Sequence, residues 1–260
     1  MLGMTAQWMG IMGEHANSVA PLLVSTEQGD LKSTFCKSLL PAALQRYYMD
    51  KVDLTSEGRV ERRLAEIGLL NLDEFDKYPS TKMPLLKNLM QMASLSLCKA
   101  YQKNHRSLPR IASFIGTSNR KELLTDPTGS RRFICVMVKR PIDCNGIEHK
   151  QIYAQLKAEI LSGERYWFTK EEEQVLQKNN LSFYRQGPVE DVLRSCYRSV
   201  EKGEEGELRS AAEIFQCLKK KNPSAMRGAN PASLAQILVA VGIERKHTKF
   251  GNVYRVVKNG

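Results

Sequence analysis

The sequence predicts an α/β fold built on a largely parallel sheet. Apolar runs of strand length alternate with segments of helical periodicity between positions 20 and 138. Three of those runs end in polar tips, and in open α/β sheets the carboxyl ends of parallel strands line the ligand crevice. The chain has 260 residues, 42% hydrophobic and 26% charged, enough for one large or two modest domains.

Taken in order, Ala20-Pro21-Leu22-Leu23-Val24 is the first strand, followed by the polar turn STEQGDLKS. STFCKSLLPAALQRYY then reads as helix through Phe35, Leu39 and Leu40, with Pro41 kinking or ending it. VERRLAEI is an amphipathic helix, and GLLNLDEFD is an apolar strand stopped by carboxylates. TKMPLLKNLMQMASL has helical spacing at Leu86, Leu89 and Met90, with Pro84 tolerable near its start. Ile111 to Ile115 and Phe133 to Val138 complete the strands, and PIDCNG (141–146) breaks the last one.

Charge is unevenly spread. The formal net charge is +11, and residues 207–260 carry ten Lys and Arg against three Glu. SVEKGEEGELRS (199–210) lacks apolar periodicity and reads as a linker. The expected division is therefore a core over 1–145, a helical extension over 146–200 and a basic domain over 201–260. No apolar run approaches the roughly 18 residues needed to cross a bilayer. The N-terminus has no basic region of signal-peptide type, so an intracellular, cytoplasmic chain is expected. The six cysteines form no CxxC and sit at no zinc spacing, which predicts buried thiols in a reducing compartment.

The three strand tips carry the chemistry. Thr26-Glu-Gln-Gly29-Asp-Leu31-Lys32-Ser33-Thr34 approximates GxxxxGK[ST], the P-loop whose backbone amides hold phosphates. Lys32 would neutralise the β/γ-phosphates and Ser33 would ligate Mg²⁺, while Gly29 and Thr34 complete the loop. Thr26 and Leu31 occupy its two glycine positions, and a Cβ at Leu31 restricts backbone approach to the phosphates. Asp73-Glu74 at the second tip matches a Walker B element, with Asp73 on Mg²⁺ and Glu74 polarising the attacking water. Asn119, in GTSN at the third tip, is placed to orient that water. Asn-Lys-x-Asp, the guanine-specific signature, is absent, which sets a GTPase aside. Arg131 and Arg132, in DPTGSRRF, supply a guanidinium for the transferring phosphoryl group.

On QGDLKSTF (28–35), LLNLDEFD (69–76), FIGTSN (114–119) and DPTGSRRF (126–133), the sequence resembles the virulence-associated E family of P-loop ATPases. That family is related to superfamily-3 helicases and to phage and plasmid primase-helicases. Lys99, Arg106 and Pro109-Arg110 fit its pattern before the third motif, and QLKAEILSGERYWFTKEEE (155–173) is similar to the segment after its ATPase core. The resemblance implies an AAA+-like ATP motor that assembles as a homo-oligomeric ring, a hexamer by family precedent. Such a motor uses ATP and Mg²⁺ and moves on single-stranded or forked DNA during replication of a mobile element. Carried over residue by residue, Lys32 and Ser33 are Walker A, Asp73 and Glu74 Walker B, Asn119 sensor 1, and Arg131 or Arg132 the finger. A primase domain or protein is an implied partner.

The basic tail is read from its residues. SAAEIFQCLKKKN is a helix ending in Lys219-Lys220-Lys221, Asn230-Pro231 starts a second, and Gly242 stops it. Lys246 to Val257 reads as a hairpin through Phe-Gly-Asn. Helix, helix, hairpin is the order of a winged helix, with Lys249 and Arg255 on DNA phosphates. Lys99 and Arg106 are further DNA candidates, with Lys103, His105 and Arg110 beside them and Tyr101 and His105 able to stack on bases. Two functions compete: a helicase-type ATPase, and a degenerate nucleotide-binding fold retained as a DNA-binding or regulatory module without turnover. A small-molecule kinase leaves the paired arginines and the basic tail without a role.

Overall fold

A computed structural model describes residues 1–55, 57–98, 105–125, 130–185, 187–201, 203–249 and 251–259, with backbone alone at 57, 58, 97, 98, 105, 106 and 130. The chain divides into two units, Met1–Tyr184 and Arg185–Gly260.

In the first unit, α1 (Leu2–Trp8) precedes β1 (Ala20–Val24), which runs into α2 (Lys32–Ser38). Then come β2 (Tyr48–Asp50), α3 (Glu57–Glu66), β3 (Leu69–Leu72) and α4 (Met83–Gln91). An antiparallel hairpin of β4 (Ser94–Cys98) and β5 (His105–Pro109) follows, and then β6 (Ser113–Ser118) and β7 (Phe133–Met137). Two helices close the unit, α5 (His149–Leu161) and α6 (Lys170–Asn180).

Five strands form one sheet in the order β2-β3-β6-β1-β7, every pair parallel. The chain leaves β1 for the far edge at β2, works back to β6, and crosses to the other side of β1 for β7. That reversal opens a crevice beyond the carboxyl ends of β1 and β6.

Strand alternation serves two cores. Leu22, Val24, Leu70, Leu72 and Phe114 pack with Leu64, Leu86, Leu89 and Met90 of α3 and α4. The intervening Leu23, Leu69 and Ile115 pack with Met4 and Cys36 of α1 and α2. Both faces are thus covered, as a parallel sheet requires. Gly116 lets the centre close, since a Cβ there would lie 2.6 Å from Leu22 Cδ2 and 3.1 Å from the Leu72 carbonyl.

Three elements differ from the sequence expectation. The helix read over 33–48 is shorter: α2 stops at Ser38, Pro41 is extended at ψ 157°, Ala42–Tyr47 form a separate 3-10 helix and Tyr48–Asp50 become strand. The helix expected over 81–95 stops at Gln91, and Ser94 and Leu95 enter β4. The strand expected at 111–115 begins at Ser113, because the Ile111 and Ala112 amides both donate to the Leu64 carbonyl at the end of α3.

The second unit holds α7 (Pro188–Cys196), β8 (Tyr197–Ser199), β9 (Glu207–Ser210), α8 (Ala211–Lys221), α9 (Pro231–Ala240), β10 (Glu244–Thr248) and β11 (Gly251–Lys258). β11 is central, antiparallel to β10 on one side and to β8 and β9 on the other. Residues 185–200, grouped above with the helical extension, therefore belong here. Val192, Leu193 and Cys196 of α7 join Ile214, Leu218, Leu234, Leu238 and Val256 in one core. Of the linker expected over 199–210, Ser199 ends β8 and Glu207–Ser210 form β9.

Candidate nucleotide site

An open cleft of about 410 Å³ lies beyond the carboxyl ends of the central strands. It gathers the loop after β1 (Gly29, Leu31, Lys32, Ser33, Thr34), the tip of β3 (Asp73, Glu74) and the tip of β6 (Thr117, Asn119). The three polar tips singled out in the sequence thus line one concavity.

Asp73 organises it. Ser33 Oγ donates to Asp73 Oδ1 at 2.8 Å across 40 residues of sequence, and Thr117 Oγ1 donates to the same oxygen at 2.6 Å. Thr117 Oγ1 in turn accepts from the Glu74 amide at 3.3 Å, so one hydroxyl positions both acids. Among the described residues, no three His, Cys, Asp or Glu side chains come together to hold a metal. Around Asp73 the oxygen groups joined by hydrogen bonds are the Ser33 and Thr117 hydroxyls and the carboxylate itself.

The loop is braced from within. Ser25 Oγ donates to the Asp30 carboxylate, which is buried. Lys32, 7% exposed, turns back to donate from Nζ to the Glu27 carbonyl at 3.2 Å. Leu31 stands at φ 57°, the left-handed conformation that glycine adopts freely, and the residue is 45% exposed. The loop therefore keeps a glycine-like turn at a position where the sequence supplies leucine.

Lys51 and Glu74 are also left-handed, at φ 62° and 54°. These three are the non-glycine residues with positive φ among those described, and all three line this cleft. Each such conformation costs of order 1–3 kcal/mol and persists where the surroundings over-determine it, commonly at functional sites. Glu74 is ion-paired to Lys51 at 3.2 Å and to Lys77. Hydrogen bonds from Lys77 and then Lys51 hold its carboxyl below the ordinary range.

The other sequence candidates lie apart. Arg131 and Arg132 precede β7, whose first residue Phe133 pairs with Ala20 at the start of β1. They are at the opposite end of the sheet from the cleft, about 13 Å or more away along a five-residue strand. Arg131 is ion-paired to Glu173 of α6 at 3.2 Å. DPTG (126–129), Lys99, Tyr101 and Lys103 lie outside the described residues. His105 and Arg106 lie on β5, where the backbone alone is described. Arg110 cannot touch DNA: it is 3% exposed and donates to the carbonyls of Met92, Ala112, Asn17 and Met90. In the second unit, Lys249 is exposed in the β10–β11 turn. Arg255 on β11 donates to the Glu204 carbonyl at 3.3 Å and pairs with Glu244 at 3.7 Å.

Sequence reasoning missed Thr117, Lys51 and Lys77. Thr117 had a usable signal, since it precedes Asn119 by two and strand side chains two apart share a face. Lys77 also had one, three residues after Glu74, whereas only the fold brings Lys51 beside it.

Residues 15–185 match the family described as the virulence-associated protein E-like domain. The chain belongs to that family. Residues 186–256 match a domain of unknown function described from a B. theta gene. The two matches meet where the two structural units of this virulence-associated protein E-like chain divide. Among solved structures, the apo NrS-1 C-terminal region (305–718) is 12% identical, with a TM-score of 0.41 over 99% of this chain and 71% of that one. An A-form apo structure of the same region gives 12%, 0.40, 99% and 70%. No curated protein matches the chain.

Proposed function

We propose that the chain is a Mg²⁺-dependent ATPase of superfamily-3 helicase type, acting on single-stranded or forked DNA in mobile-element replication. One observation carries the reading: Ser33, Asp73 and Thr117, from three separate strand ends, converge on a single carboxylate oxygen beside Lys32. A serine after the loop lysine, an acid at a buried strand tip and a hydroxyl between them form the set that a nucleotide triphosphate and its metal require. The strand order supports it, because β6 lies between the strand carrying the loop and the strand carrying the acids.

The donor set fits Mg²⁺, a hard cation that takes oxygen ligands and keeps several waters. Asp73 and the Ser33 hydroxyl would hold it, and the bound ion would supply charge neutralisation at the phosphates. Lys32 neutralises the same phosphates after leaving the Glu27 carbonyl. Glu74 accepts the proton of the attacking water, and Asn119 at the cleft edge orients it. Thr117 is a positioning residue for both acids. Arg131 or Arg132 completes the site from a neighbouring copy, because in its own chain each stands at the far end of the sheet. That requires a homo-oligomeric ring. The basic second unit, with helix, helix and hairpin in winged-helix order, supplies Lys249 and Arg255 to DNA phosphates. Among the described residues, no helix is long and apolar enough to cross a membrane.

The test is phosphate release with and without single-stranded DNA, at protein concentrations high enough for assembly. Lys32→Ala and Glu74→Gln should each lower turnover by about 10²–10⁴-fold. Turnover indifferent to both substitutions would sink the proposal. DNA binding that persists in Lys32→Ala, with no turnover in the parent chain, would instead leave a DNA-binding module.

A further inference from the structure

The cleft provides for a triphosphate and its metal but not for a base. Among the described residues that line it, Leu31 is the one apolar side chain and none is aromatic. Asp73, Glu74 and Asn119 mark the γ-phosphate end, so a base lies at the other end of the triphosphate. An adjoining concavity has the apolar walls Val52, Leu54 and Tyr78, but it opens beyond Glu74 and is on the wrong side.

Aromatic surface is concentrated at the opposite end of the sheet. Two concavities of about 380 and 300 Å³ share Asn17, Val19, Tyr166, Trp167 and Phe168. The larger is bordered by Pro21, Leu69 and Ser113, at or near the amino ends of β1, β3 and β6. His15, itself exposed, stacks on Trp167 with ring centroids 4.3 Å apart and planes at 18°, and Tyr166 meets the indole edge-on at 4.9 Å. This platform is fixed from both sides. The Tyr166 hydroxyl accepts from the Gly13 amide and donates to the His15 carbonyl, both at 3.1 Å. Arg165 donates to the Trp167 carbonyl at 2.7 Å and to the Glu172 carboxylate, and Thr169 and Glu172 form the capping box that starts α6. Trp167 and Phe168 nonetheless remain 36% and 39% exposed. Aromatic rings presented to solvent on an anchored backbone are what bases stack on.

Glu173, in the wall of the smaller concavity, is also the residue that pairs with Arg131. A contact that carries Arg131 to a neighbouring copy's cleft therefore carries the aromatic basin with it. We propose that the His15–Trp167 stack is the base platform for the nucleotide held in that neighbouring cleft, so that one chain grips the triphosphate and the next grips the base. This rests on the nucleotide reading of the cleft and on Arg131 acting from a neighbouring copy. In its own chain the basin does not serve the cleft, because the two are separated by the length of the strands, about 13 Å or more. Base recognition is thus a property of the assembly. The dilute chain binds ATP no better than tripolyphosphate, and the assembled chain separates the two.

Photolabelling of the full chain with 8-azido-ATP and Mg²⁺, read by peptide mass spectrometry, tests the placement. An isotope-labelled Lys32→Ala chain, deprived of its own triphosphate grip, is mixed with the unlabelled parent at concentrations high enough for assembly. The azide should mark residues 13–16 or 165–168 of the isotope-labelled copy, and should leave that chain unmarked when it is alone. Marking confined to the parent copies, or to Tyr78, overturns the proposal. So does equal marking of the Lys32→Ala chain by itself, since the basin would then bind nucleotide without any cleft. Affinity gives the second arm. In the assembled chain, Trp167→Ala should weaken binding of a nonhydrolysable ATP analogue by about tenfold and leave tripolyphosphate binding unchanged, and His15→Ala should do the same to a smaller extent. No loss in either variant, or an equal loss for both ligands, overturns the platform. An assembled parent that binds the analogue and tripolyphosphate equally well keeps the phosphate cleft and refutes the platform alone. A parent that binds neither refutes the nucleotide reading, and the platform with it.

Discussion

The two ends of the central sheet treat charge in opposite ways. At the amino end, Arg110 is 3% exposed and donates to four backbone carbonyls: Asn17 before β1, Met90 and Met92 at the end of α4, and Ala112 before β6. Gln7 of α1 donates to the Arg110 and Ala112 carbonyls at 2.6 and 3.0 Å, tying a further element in. Burial lowers the guanidinium pKa to about 10, so charging it there is costly, and the fold recovers the cost through hydrogen bonds alone. At the carboxyl end, Lys51, Lys77 and Glu74 are partly exposed and loosely paired, with Lys51 and Glu74 set on strained backbone. One end spends polar groups on holding four segments together, and the other keeps them available. Stability and function are separated along the strand direction, which makes each end testable without destroying the other.

The largest effect is expected at the amino end. Arg110→Met should destabilise the first unit by about 3–5 kcal/mol, since it orphans buried carbonyls that Gln7 only partly serves. Trp8 and Trp167, the two tryptophans of the chain, both lie in the first unit, so fluorescence-monitored denaturation reports it selectively. A loss below about 1 kcal/mol would mean that water replaces the guanidinium and that the amino end is not a brace. Thr117→Val, at the carboxyl end, should show the reverse balance. It is nearly isosteric, removes one hydroxyl from Asp73 and the acceptor of the Glu74 amide, and should cost only about 1–2 kcal/mol of stability. ATP turnover should fall by about tenfold or more, a larger proportional loss than the folding change explains. Equal losses in Arg110→Met and Thr117→Val, in both stability and turnover, would erase the distinction between the ends.

Much of this was legible before any coordinates. The strand–helix alternation gave the parallel sheet, and Lys32, Ser33, Asp73, Glu74 and Asn119 do line one cleft. Those residues were readable because strand tips in a parallel sheet point one way, so polar residues that end apolar runs must gather. Arg110 was misread as a DNA candidate, because a basic residue beside other basic residues gives no sign of being buried. Lys51 carried no pattern at all; its meaning depends on a backbone φ and on which strand lies beside which. In the second unit, α7 was assigned to the wrong domain because amphipathicity shows that a face is buried but not against what. Arg131 was read at the cleft, but one chain places it and the cleft at opposite ends of the sheet, because the motif order does not show at which end of its strand a loop lies.

Leu31→Gly tests the comparison at its finest point. A β-carbon in left-handed backbone costs about 1–2 kcal/mol, and glycine removes that cost. Glycine also enlarges the entropy of the unfolded chain, which takes back about 0.5–1 kcal/mol. Leu31 is 45% exposed, so little buried contact is lost. The net expectation is a small gain, about 0.5–1 kcal/mol, with tighter nucleotide binding because the backbone can approach the phosphates more closely. Thermal denaturation of the first unit and titration with a nonhydrolysable ATP analogue measure the two effects together. If Leu31→Gly lowered stability, the leucine would be holding the loop through its side chain, and the carboxyl end would owe its strain to packing instead of to ligand geometry. A gain in stability with no change in nucleotide affinity would show the strain to be incidental to binding, and it would leave Lys51 and Glu74 as the strained residues that matter.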